Sequence, residues 1–300
     1  MRGTLHYLAP EDAGIYLSLI AAARPWQTPA WSNWFGLTPD VIDRMRDAAI
    51  EALAAGPMSR DELIQALASR PGLSHVDTPL RESWGTAFKP LAWQGVLAFG
   101  PMRDGRPTFV RPDLVSPRWA GLPDADVAAP RAIAAYAAAY GPATPERFRN
   151  WLGRGRIGKR LLDGWWQAAV AAGLAEVEVD GETAFVPADR LDELAATPPN
   201  ASLRLLGGFD QWVLGPGTDD THVVAAERRR DVSKQSGWIA PVIVRGGQVT
   251  GTWQPDGETL RVTWFREAGR PPARALTAEA RRVGAAVGRE LTIGMASMPA

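Results

Sequence analysis

Apolar residues recur at helical spacing through "TPDVIDRMRDAAIEALAAG", placing Val41, Ile42, Met45, Ala49 and Leu53 on one face. Thr38 is an N-cap, Pro39 fits the first helical position and Gly56 ends the run, so the pattern predicts a helix. "SRDELIQALASRPG" follows with a capping box, Ser59 and Glu62, and closes at Pro71-Gly72. "TPLRESWGTAFKPLAWQG" predicts a third helix that continues through Pro90. "VLAFGPMRDGRPTFVRP" then reads as strand, turn and strand, with Arg103 and Arg106 at a tip suited to a minor groove. Helix, helix, helix, hairpin is the order of a winged helix-turn-helix.

The order recurs. "AIAAYAAAY" predicts a helix ending at Gly141-Pro142, Thr144 caps the next, a third runs from about Arg156 to Ala172, and a hairpin turns at Asp180-Gly181, its acidic tip ill suited to DNA. Gly56-Pro57 matches Gly141-Pro142, Gly95-Val96-Leu97 matches Gly173-Leu174-Ala175, and Phe109-Val110 matches Phe185-Val186. Two independent stretches that agree outweigh a single motif. Ahead of both lie a short strand at Thr4 to Leu8 and a helix in "PEDAGIYLSLIAAA". After "AATPPN" the pattern turns to strands in "LRLL", "GWIAPVIVRG", "QVTGTWQPDG" and "TLRVTWFRE", and a last amphipathic helix, "LTAEARRVGAAVGREL", suits one face of a small sheet. The fold class is therefore α+β, with tandem winged helix-turn-helix domains at 38–119 and 120–197 and a small β-rich C-terminal domain at 201–300.

"GRGRIGKR", Gly153 to Arg160, fits two nucleotide-binding patterns: G-x-G-x-x-G, and a P-loop lacking its final Ser or Thr. Both need a strand before the glycines, and "TPERFRNWL" predicts a capped helix instead. The repeat places the stretch at the turn into the third helix, the recognition helix of a winged helix. Glycines there let the backbone approach a phosphodiester chain. Arg147, Arg149, Arg154, Arg156, Lys159 and Arg160 supply six cations and no anion between positions 147 and 160. A solvated basic turn is the bland alternative. A second group, Arg228, Arg229, Arg230 and Lys234, is divided between DNA-backbone binding and pairing with Glu227 and Asp231.

The chain of 300 residues carries 33 basic and 33 acidic side chains, so attraction to a polyanion must come from local clustering. No cysteine is present, and His6, His75 and His222 lack metal-ligand spacing, so neither a metal nor a cofactor is expected. No apolar run of membrane-spanning length or signal peptide is found; the expected location is the cytoplasm, in association with the nucleoid. Among 13 tryptophans, Trp93, Trp165 and Trp166 fall at core positions of helices, whereas Trp26, Trp31 and Trp34 stand on a connection expected to be irregular, sealing an interface or offering faces to a base.

At "MRGTLHYLAPEDA", "LLGGFDQWVLG" and "ERRRDVSKQSGWIAPVIVRGGQVTGTW" the sequence resembles the bacterial winged-helix DNA-binding family that contains the AlkZ-type DNA glycosylases, which excise bulky alkylated bases and unhook interstrand crosslinks. The resemblance implies three tandem winged helices before a β-rich domain, with residues 1–37 the remnant of the first, its wing strand and a helix. It implies duplex DNA, plain, alkylated or crosslinked, as partner. In the family a Gln-aliphatic-Gln or Gln-aliphatic-Asp motif lies upstream of "RGTLH"; here no Gln-x-Gln occurs, and Gln254-Pro255-Asp256 is expected in a hairpin turn. The expected function is that of a DNA-binding protein related to repair glycosylases, with an active glycosylase whose start lies further upstream, or a small-nucleotide module using the glycine-rich turn, as alternatives. No catalytic residue is assigned: Asp210 reads as a turn acid bonding backbone amides or pairing with Arg228.

Overall fold

The computed structural model describes residues 7–83 and 85–296. The strand expected at Thr4 to Leu8 lies largely outside them, and Tyr7 and Leu8 are not in a strand. The chain forms two compact units. One holds the described residues up to Ala138 with Thr144–Ala188, the other Ala139–Ala143 and the residues from Asp189 onward.

The first unit begins with α1 (Pro10–Ala23) and α2 (Pro29–Phe35). The second of these corrects the expectation of an irregular connection: the Thr28 hydroxyl accepts from Trp31 N–H and Pro29 supplies a preset φ. Trp26 and Trp31 are buried against Trp93, at centroid distances of 6.1 and 5.7 Å, while Trp34 stays exposed. α3 (Pro39–Ala52) is capped by Thr38, and α4 (Arg60–Ala68) carries the full capping box, Glu62 accepting from Ser59 N–H at 2.6 Å.

The third helix is not continuous. It splits into α5 (Asp77–Glu82) and α6 (Lys89–Trp93), because Gly85 takes a left-handed φ of +80° and Pro90, having no N–H to donate, fits only a helix start. β1 (Ala98–Arg103) and β2 (Arg106–Val110) pair antiparallel through Asp104 and Gly105, both at positive φ, the geometry that fits the native strand twist. Met58, between α3 and α4, bridges to Phe109 and brings the hairpin onto the helices.

After α7 (Pro112–Val115), the order repeats as α8 (Ala125–Tyr140), α9 (Pro145–Gly153), α10 (Lys159–Ala171) and the hairpin β3 (Leu174–Val179) and β4 (Glu182–Pro187). Its core includes Ile133, Tyr136, Phe148, Leu162 and Trp165, the last donating Nε1–H to Asp126 at 2.8 Å.

In the second unit, α11 (Leu191–Ala196), β5 (Leu203–Leu206), α12 (Gln211–Leu214) and α13 (Arg229–Val232) precede β6 (Val242–Arg245), β7 (Gln248–Asp256) and β8 (Thr259–Trp264). α14 (Ala273–Val287) and β9 (Thr292–Met295) follow. The strands form one sheet in chain order, antiparallel except for β9, which joins β8 in parallel. Successive residues of a strand face opposite ways, and the run Val242-Ile243-Val244 is apolar throughout because both faces are covered. Ile243 packs with Leu276 and Ala280 of α14, whereas Val242 and Val244 pack with Val213, Val224 and Val232 on the other side.

Candidate nucleic-acid interface

The bend between α9 and α10 is helix, turn, helix, so the strand that either nucleotide-binding pattern requires is not there. α9 ends with Arg154 at φ +54° and Gly155 at +76°. Arg154 N–H returns to Asn150 O and Gly155 N–H to Arg149 O, satisfying the last carbonyls of the helix. Ile157 is buried in the bend, and Arg149 reaches across to donate Nε–H to its carbonyl at 2.7 Å. Gly158 then opens α10 in an extended conformation. A fixed backbone with a buried plug leaves the intervening side chains no room inside, which is why the cations point out.

The sequence-predicted cations of this stretch divide into distinct environments. Arg149 is engaged by Ile157 and by Glu146 at 3.2 Å, and Lys159 pairs with Asp163 one helical turn on at 2.9 Å, an exposed pair of small energetic weight. Arg147 is half-buried on α9, its N–H capped by Thr144. Arg154, Arg156 and Arg160 are exposed, with no carboxylate partner among the described residues. Arg154 and Arg156 line a narrow cleft with Ile20, Ala23, Pro25 and Trp93.

Lys89, at the start of α6, was not singled out by the sequence pattern. It is half-buried, and its pKa is lowered, first by burial and then by the charges of Arg154 and Arg156. Two exposed arginines thus act on a half-buried lysine, and none of the three has a carboxylate partner among the described residues, an arrangement that an anion would relieve. Arg24 caps α1 at φ +45° between the cleft residues Ala23 and Pro25, and its side chain is exposed. Only the fold brings Lys89 and Arg154 together; no local signal marks the lysine.

The C-terminal basic group is divided too. Arg228 donates to Glu267 through two hydrogen bonds of 2.6 and 2.7 Å, adds Asp231 at 3.3 Å, and lays its guanidinium 4.6 Å from the centre of the Phe265 ring. The Arg228 guanidinium draws the Glu267 carboxyl down to about 2, and the arginine's own pKa rises in return. Arg228 is therefore part of the fold of its unit. Arg229, Arg230 and Lys234 have no carboxylate partner among the described residues. Asp210 N-caps α12, accepting from Trp212 N–H at 2.8 Å, so it acts as a turn acid and Arg228 is not its partner.

The comparisons with known proteins agree with one another. An interstrand DNA cross-link repair glycosylase of Streptomyces sahachiroi is 43% identical over 289 residues, which is 96% of this chain and 78% of that protein. The solved structure of the Streptomyces sahachiroi DNA glycosylase AlkZ superposes with a TM-score of 0.95 at 42% identity, covering 99% of this chain and 80% of that one. The DNA glycosylase AlkZ-like family matches residues 1–286, and the chain belongs to it.

Proposed function

We propose that this chain binds duplex DNA, including alkylated or crosslinked duplex, as a DNA-repair protein of its family, with residues 38–119 and 120–197 acting as winged helices and α10 as a recognition helix. The observation that carries the reading is that Arg154 and Arg156 line one cleft and act by their charge on the half-buried Lys89, with Arg160 exposed at the start of α10 and no carboxylate partner for these cations among the described residues. Counterion release from a polyanion is the largest favourable term open to such a group. Arg154, Arg156 and Arg160 are assigned to phosphates, Arg147 and Lys159 flank them, and Arg229, Arg230 and Lys234 form a second basic group. The Streptomyces sahachiroi relative is an interstrand DNA cross-link repair glycosylase, which supports a damaged duplex as partner. Base excision is the established chemistry of glycosylases; these residues are assigned DNA binding, and none is assigned to the excision step.

The test is equilibrium binding to a plain duplex over a range of salt. Arg154→Ala, Arg156→Ala and Arg160→Ala each remove one cation from a phosphate, and each should flatten the log–log salt slope by about 0.9. Unchanged affinity and slope in the triple variant, with its thermal unfolding intact, sinks the reading.

A further inference from the structure

The second unit carries an aromatic pair that its core does not use. Phe209 holds a φ of +61°, a left-handed conformation that strains a bulky side chain, yet the residue is 38% exposed, so burial does not account for the strain. Trp238 lies against it edge to face, with centroids 5.0 Å apart and planes at 82°, and is 57% exposed. The two loops are fixed in place. Asp210 caps α12 directly after Phe209, Gly208 passes so close to the Ile239 carbonyl that a side chain there would press on it at 3.0 Å, and Trp238 O accepts from Lys234 N–H at 2.8 Å.

That last bond, between backbone groups, ties the chain at Lys234 to the chain at Trp238. Lys234 and the preceding Arg229 and Arg230 carry no carboxylate partner among the described residues, while the neighbouring Asp231 is taken by Arg228 and Asp210 by a backbone amide. An exposed aromatic pair on a loop whose backbone is bonded to that of the basic segment matches a ligand that offers a flat π surface on an anionic chain. A folded protein partner would need a larger apolar patch than two rings.

We propose that Phe209 and Trp238 form a stacking surface for an unpaired nucleobase, with Arg229, Arg230 and Lys234 holding the flanking phosphates. The proposal rests on the DNA-binding reading above and adds to it a preference for a nucleotide outside the base stack.

The full chain is titrated with a duplex containing one bulged 2-aminopurine and with the same duplex fully paired, at one salt concentration, following both anisotropy and base fluorescence. The bulged duplex should bind more tightly and quench the probe. Trp238→Ala and Phe209→Ala should each weaken that binding about ten-fold while leaving the paired duplex and its salt slope unchanged, and Trp238→Phe should retain most of the preference. The proposal is overturned if Trp238→Ala keeps the preference, if it weakens both duplexes equally together with a lower Tm, or if sedimentation shows a dimer that the substitution disperses. Arg154→Ala with Arg156→Ala should weaken both duplexes alike. Absence of that weakening defeats the DNA reading of the bend, whereas absence of the bulge preference alone defeats only the stacking surface.

Discussion

Arg149 donates Nε–H to the carbonyl oxygen of Ile157 at 2.7 Å, closing the bend between α9 and α10 from the inside. The bond adds a side-chain tie across a turn containing Gly153, Gly155 and Gly158, beside the backbone bonds from Gly155 N–H to Arg149 O and from Arg156 N–H to Gly153 O. Its role is then to position the bend and its cations. Arg149→Ala and Arg149→Lys should both lower stability by about 1 kcal/mol, since lysine keeps the charge but not the planar donor set. Both should leave the salt slope of DNA binding unchanged. Urea unfolding and salt titrations of the two variants check this; a slope lower by about 0.9 would make Arg149 a phosphate ligand instead.

Lys89 gives the proposed interface a pH dependence of definite sign. Burial, with Arg154 and Arg156 beside it, lowers its pKa in the free protein, so its ammonium loses protons at a pH where an ordinary lysine keeps them. A phosphate bound nearby favours the charged form and raises the pKa again, so binding takes up a proton in the window between the two values. DNA affinity should hold at neutral pH and fall as pH rises through that alkaline window. Lys89→Arg, which does not titrate there, should bind DNA without this fall. Measurements of Kd up the alkaline range, with wild type and variant in parallel, decide the matter; identical profiles would remove Lys89 from the interface.

Local chemistry made much of this fold legible. Ser59 and Glu62 specify their cap within four residues, and Asp104-Gly105 and Asp180-Gly181 specify their turns, because each signal needs only neighbours along the chain. The third helix broke where Gly85 and Pro90 interrupt it, a case of apolar spacing outvoting backbone chemistry in the sequence pattern. β9 escaped notice because "TIGM" is short and pairs in parallel with a strand about thirty residues earlier, with α14 in between. The basic groups were legible as charge but not as roles: Arg228 finds Glu267 at a separation of 39 residues, and Lys89 meets Arg154 only through the fold. No local signal marks the left-handed backbone of Phe209, at φ +61°.

Glu279 is a buried acid on α14 that holds the edge of the sheet. Its carboxylate accepts from Leu205 N–H at 3.2 Å and pairs with Arg282 at 2.8 Å and Arg204 at 3.4 Å. Burial by itself would raise its pKa, but the Arg282 hydrogen bonds, the Leu205 amide and the two arginine charges outweigh it, and the pKa is lowered. A carboxyl whose folded pKa lies below its unfolded value stabilises fully above the ordinary carboxylate range and loses that contribution as pH falls through the lowered value. Glu279→Gln keeps the shape but removes the charge, so at neutral pH it should cost about 2 kcal/mol, the range for hydrogen bonds to charged groups. The penalty should begin to shrink as the solution is acidified through the ordinary carboxylate range and disappear below the lowered value, where the folded wild-type carboxyl also becomes neutral. Urea melts of both proteins at neutral and acid pH measure it. A penalty that stays constant with pH would mean that the shape of the side chain, and not its charge, joins α14 to β5.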